Sequence, residues 1–262
     1  MQYTHILLDI RGTIAYLTLN RSEVLNALNL EMAKDLMDAA MECEKNPAVR
    51  AVVLASAGST FCAGGDIKSF AAQGEQLPAY LKEITTYLHT AISCLARMDA
   101  PVIAAVQGSA AGGGMSLACA CDLVFAAASA RFTAAYTRLG LTPDGSLTYF
   151  LPRLVGVKRA LELTLTNRTL SAEEAYQWGI VTAVVPDGQV LERAEALARE
   201  LATGPTMAFG VTKRLIHQGV TESLETQLMQ ERHAISTMAG SADSQEGMSA
   251  FLAKRAPLFK GK

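Results

Sequence analysis

The chain has 262 residues, half of them hydrophobic, with 23 Lys and Arg against 25 Asp and Glu and a formal net charge of −2. That length suits one globular domain of α/β size, or a domain with a small helical appendage. The charges are mixed and no basic block occurs, which argues against nucleic acid or an anionic membrane as partner. The first residues, MQYTHILLDI, show neither a signal nor a transit pattern, no apolar run reaches the length of a membrane span, and the final FKGK is no peroxisomal address; cytoplasm is the expected location. HILLDIRGTIAYLTLN predicts two strands around the Arg11-Gly12 turn, the second with Ala15, Leu17 and Leu19 on one apolar face. A loop, RSEVLNALN, leads to a helix whose buried stripe is Met32, Leu36, Ala39, Ala40 and Cys43. AVVLAS is a buried strand, a glycine-rich loop follows, and a long helix is expected within Leu77–Arg97. PVIAAVQG is strand and turn, GGGMSLACACD a helix, DLVFAA a strand.

Repetition of strand, loop, helix and strand through the first half predicts a parallel or mixed sheet covered by helices. After LPRLVG the segments are mostly helical, with IVTAVVP as the one strand, and MAGSADSQEGM reads as a surface turn before the last helix. The five cysteines, an odd number in largely apolar surroundings, read as reduced thiols. Cys119 and Cys121 have no histidines beside them, so no metal is expected.

Two loops share one logic. FCAGGDIK (61–68) and AAGGGMSLA (110–118) each follow an apolar strand and precede a helix. Glycines there let a ligand approach backbone N–H groups, and the helix N-terminus adds positive dipole. Two such amides aimed at one point would form an oxyanion hole; the alternative is that these glycines only permit tight turns and close packing. Neither loop fits a phosphate-binding pattern.

In this order LNALN, FCAGGDIK and AAVQGSAAGGGMSLACACD resemble the crotonase, or enoyl-CoA hydratase/isomerase, superfamily, as do LTLTNRTLSAEEAYQWGIVTAVVP and the ending EGMSAFLAKRAPLFKGK. The resemblance covers essentially the whole chain. It implies an α/β crotonase spiral of β-β-α units over residues 1–190, a helical trimerisation region over 191–262, and a homotrimer or dimer of trimers. It implies an acyl-CoA substrate whose thioester oxygen is held by the amides of Gly65 and Gly113. Coenzyme A then enters as part of the substrate, with no separate cofactor. The CoA moiety is expected near Val24, Ala27, Ala63, Asp66 and Ile67, and Lys254 and Phe259 are expected to reach a neighbouring subunit's CoA. Asp66 can equally serve as a helix N-terminal charge.

Hydratases of this family carry one glutamate at the position of Ser116 and another at that of Tyr136. With both replaced, ordinary hydration loses the two groups that activate water and manage the α-proton. Asp144, in LTPDGSL, reads locally as a turn residue. The resemblance makes it the catalytic carboxylate, because it occupies the place of the aspartate in the ring-epoxide isomerase of phenylacetate degradation, in dienoyl-CoA isomerases and in 4-chlorobenzoyl-CoA dehalogenase. Three functions follow as expectations. The first is an acyl-CoA isomerase with Asp144 as proton shuttle. The second is a dehalogenase-like or other hydrolytic enzyme with Asp144 as nucleophile and His89 assisting. The third is a non-catalytic or RNA-binding relative, which the absence of a basic stripe disfavours. Met115, Tyr136, Phe70 and Tyr149 are candidates for an acyl pocket or for plain core. His5, His217 and His233 read as structural or surface residues.

Overall fold

The computed structural model describes residues 3–262. The chain opens with an antiparallel hairpin, β1 (Ile6–Arg11) and β2 (Ile14–Leu19), turning at Gly12, whose φ of +62° suits glycine. Ala15, Leu17 and Leu19 are fully buried, as their alternation requires. Helix α1 (Leu30–Lys45) is capped by the Asn29 side chain accepting the Met32 N–H, and it buries the stripe from Met32 to Cys43. Strand β3 (Ala51–Ser56), helices α2 (Ile67–Ala71) and α3 (Leu77–Arg97), and strand β4 (Val102–Val106) follow.

From here each turn of the chain contributes to two sheets. Short β5 (Ser109–Ala111) leads to α4 (Gly113–Ala120); β6 (Leu123–Ala127) is followed by β7 (Arg131–Thr133). Then come α5 (Leu147–Val155), α6 (Val157–Thr166), β8 (Leu170–Ser171), α7 (Ala172–Gln177) and β9 (Ala183–Val185). The large sheet has the order β1-β2-β3-β4-β6-β9, parallel except for the first hairpin; the small one has β5-β7-β8. A bridge between Cys62 and Ala110 extends the small sheet's edge toward the first glycine loop. β3 and β4 are hydrophobic at nearly every position because both their faces are covered.

Helix α8 (Val190–Ala202) packs on β3, β4 and β6 through Ala194, Ala198 and Ala202. It therefore belongs to the core layer, although the helical appendage was expected to begin there. The helices that extend beyond the sheets are α9 (Thr206–Gly219), α10 (Leu224–Ala239) and α11 (Ala242–Leu252). α11 starts at Ala242, capped by Ser241, so most of the segment expected as a surface turn is its first turns; serine accepts the Ser244 N–H and stops the turn short. The chain's end is fastened back. Asp243, buried, accepts the Lys260 and Gly261 amides at 2.6 and 2.7 Å, and Arg50 donates to the Phe259 carbonyl at 3.0 Å. Asp122 receives the Val102 N–H and Lys213 Nζ, both at 2.8 Å, pinning α9 to the start of β4. All five cysteines are free thiols. Among the described residues no helix is long and apolar enough to cross a membrane.

Candidate active site

The two glycine loops lie side by side. Leu28 N–H donates to the Gly64 carbonyl at 2.7 Å, and Ala63 N–H to that of Leu25 at 3.0 Å, so the Val24–Leu28 segment runs along the first loop. Leu25 and Asn26 both take φ of +55°. Asn26 holds this costly turn by accepting from the Arg21 N–H and donating to the carbonyls of Ala57 and Thr60. The Gly64 α-carbon sits against Ala111 and Gly112 of the second loop.

These loops and α3 enclose a cavity of about 300 Å³. Its floor includes Gly65 and Gly113, and its only carboxylate is Asp144. Among the described residues neither the Gly65 nor the Gly113 amide has a hydrogen-bond acceptor. A side chain at either position would force a neighbour, Phe70 or Leu28, to move. A methyl group at Gly65 would lie 2.5 Å from the Phe70 ring, and one at Gly113 2.6 Å from Leu28 Cδ1. Gly113 is also the first residue of α4, where the amides of the first turn find no partner within the helix.

Asp144 stands on a loop after the 3-10 turn Tyr136–Leu139. Tyr136 donates its hydroxyl proton to Asp144 Oδ1 at 2.6 Å, a short charge-assisted contact. Ser116, fully buried on α4, lies 2.9 Å from the Tyr136 hydroxyl and 3.0 Å from the Asp144 carbonyl oxygen. Burial, then the adjacent Asp144 charge, pushes the Tyr136 phenol pKa far above its ordinary value, so the proton stays on the phenol. Ser116 and Tyr136, the residues expected at the glutamate positions, are thus joined to Asp144 itself. Two amides without acceptors and one carboxylate thus line the same cavity.

Residues 9–262 match the family Enoyl-CoA hydratase/isomerase. The chain belongs to that family. It is 41% identical over 258 residues to the 1,2-epoxyphenylacetyl-CoA isomerase of Escherichia coli K12, covering 98% of each chain. It is 42% identical to a Rhodobacter capsulatus protein named probable enoyl-CoA hydratase, over the whole of both. Among solved structures, an enoyl-CoA hydratase from Bacillus anthracis superposes with a TM-score of 0.92 at 34% identity, covering 99% of this chain and 100% of that one. The crotonase fold implied by the resemblance is therefore the fold observed.

The expected site residues separate into groups. Ala63, Gly65, Ile67, Gly113, Tyr136 and Asp144 line the cavity. Val24 and Ala27 lie beside it on the segment that flanks the first loop. Asp66 turns away from the lining, capping α2 through the Ser69 N–H at 3.1 Å and pairing with Arg21 at 3.1 Å. Burial would raise its pKa, but the Ser69 amide and the guanidinium outweigh that and hold it below the ordinary carboxylate range. Ser116 is sealed behind Tyr136. His89 lines a different cavity, and Lys254 and Phe259 lie near the chain's end, outside the lining. Of the acyl-pocket candidates, Phe70 and Tyr136 line the cavity, Tyr149 lines the neighbouring one, and Met115 is core. Sequence reading missed the wall contributed by Leu81, Ile84, Thr85 and Leu88 of α3, whose apolar stripe reads as ordinary core, and the turn-holding role of Asn26.

Proposed function

We propose that the chain is an acyl-CoA isomerase that shifts a double bond, or opens a ring epoxide, through a thioester enolate. The observation that carries this reading is that one carboxylate alone, Asp144, lines a cavity that also contains two glycine amides without acceptors. The amides of Gly65 and Gly113 hold the thioester oxygen. Asp144 takes a proton from the carbon next to the carbonyl, and the C–H electron pair moves into the enolate. The same carboxyl returns the proton two carbons away, so the double bond moves and no oxidant or water is consumed. Coenzyme A is part of the substrate, lying along Val24, Ala27, Ala63 and Ile67, and no other cofactor takes part. A hydratase needs a second acid or base, and Ser116 and Tyr136 are engaged in holding the first.

The test is a pair of assays run beside a true hydratase. A 3-enoyl-CoA in D2O should yield the 2-enoyl product with deuterium at the α or γ carbon, while crotonyl-CoA should be hydrated far more slowly than by the control. Hydration at the control's rate would overturn the reading. Helices α10 and α11 expose Leu228, Ile235, Phe251 and Leu252, a surface that a trimer or dimer of trimers would cover.

A further inference from the structure

The residue after the catalytic candidate makes a contact that the proposed reaction does not use. Gly145 N–H donates to His89 Nε2 at 3.1 Å, across 56 residues of sequence. An imidazole that accepts at Nε2 is neutral and carries its proton on Nδ1. Gly145 and Ser146 have φ of +56° and +66°, two successive left-handed residues, and the second is not glycine. Such an elbow does not persist without outside support. Ser116 holds its front by reaching the Asp144 carbonyl, and a side chain on Gly145 would meet Ser116 Cβ at 2.9 Å. Nothing else among the described residues accepts the Gly145 amide.

The imidazole itself stands apart from the substrate cavity. It lines a neighbouring one of about 420 Å³ with Ser146, Tyr149 and His217, while Asp144 lines the first. We propose that His89 is a positioning residue: by accepting the Gly145 N–H it fixes the Asp144–Gly145–Ser146 elbow and so aims the carboxylate. This rests on the proposed role of Asp144. It differs from the expectation that His89 handles water in a hydrolytic reaction, since it assigns the imidazole no contact with substrate.

Two variants and two readouts test it. In His89→Leu the acceptor is gone; in His89→Gln the amide oxygen can take the place of Nε2. His89→Leu should lower kcat about tenfold on a 3-enoyl-CoA with KM little changed, and His89→Gln should recover most of it. Independently of activity, backbone hydrogen exchange in the peptide spanning 141–150 should quicken in His89→Leu and stay slow in His89→Gln. Unchanged exchange and kcat in His89→Leu would overturn the clamp. Equal loss in both variants with unchanged exchange would also overturn it, in favour of a chemical role. Full activity in Asp144→Asn would remove the isomerase reading, and the exchange measurement would still decide whether His89 holds the elbow.

Discussion

Burial, then the adjacent Asp144 charge, holds the proton on the Tyr136 phenol, so at neutral pH it is the donor to Asp144. A hydrogen bond to a charged acceptor contributes about 1.5–3 kcal/mol, and its loss leaves a carboxylate with one partner fewer. Tyr136→Phe keeps the ring and removes that donor. It should lower kcat on a 3-enoyl-CoA roughly ten- to a hundredfold and, because the buried hydroxyl also meets Ser116, lower the melting temperature by a few degrees, as steady-state kinetics beside a melting curve would show. Asp144→Asn removes the base itself and should lower kcat by about two orders of magnitude or more. Gly113→Pro deletes one amide proton at the first position of α4, where no helical bond is broken, although the added ring crowds Leu28 and strains the turn. It should cost roughly 10²–10³ in rate, and a folded variant of normal activity would exclude that amide from the reaction.

At the scale of elements, α4 carries the greatest constraint. Every residue from Gly113 to Ala120 is buried, and Gly114 presses on Cys62: a methyl there would lie 2.7 Å from Cys62 Cβ. Gly114→Ala should therefore destabilise the fold by about 1–3 kcal/mol through overpacking, read as a lowered melting temperature, and should cost activity as well because Gly113 directly precedes it. The long elements were legible from periodicity. α1 showed its apolar stripe, α3 its length, and β2 its alternation. The strands β5, β7 and β8 were not, since two or three residues carry no period and form only because the spiral lays them beside one another. The glycine loops were readable as close approaches, but their meeting depends on the Leu28–Gly64 and Cys62–Ala110 pairings, which join distant segments. Asp144 read locally as a turn residue, and it is one; what local sequence could not give is that Tyr136 and Ser116 converge on it from a 3-10 turn and a buried helix.

For the whole molecule, the buried thiols set an alkaline limit. Burial pushes Cys62 and Cys119 up to about 12, against roughly 8.5 in an unfolded chain. The unfolded state sheds these protons first, so the contribution to stability is full below about pH 8.5 and is lost as pH rises toward 12. Unfolding midpoints in urea should fall over that window, and iodoacetamide at pH 8 should label Cys62 and Cys119 only after denaturation.

The fastened end has a bearing on the order in which the molecule is completed. Arg50 and Phe259 are 209 residues apart, so the sheet's entry and the last residues meet only when almost everything between them is in place. Closing so long a loop adds little to the entropy already lost, because that cost grows only with the logarithm of length. Its effect is expected on timing instead: we predict that a contact this distant in sequence forms after the folding nucleus. Asp243→Ala, which frees the Lys260 and Gly261 amides, should thus leave the refolding rate nearly unchanged and speed unfolding. The tail is then expected to act as a latch on a finished spiral of turns, governing how long the native state lasts rather than how quickly it is reached.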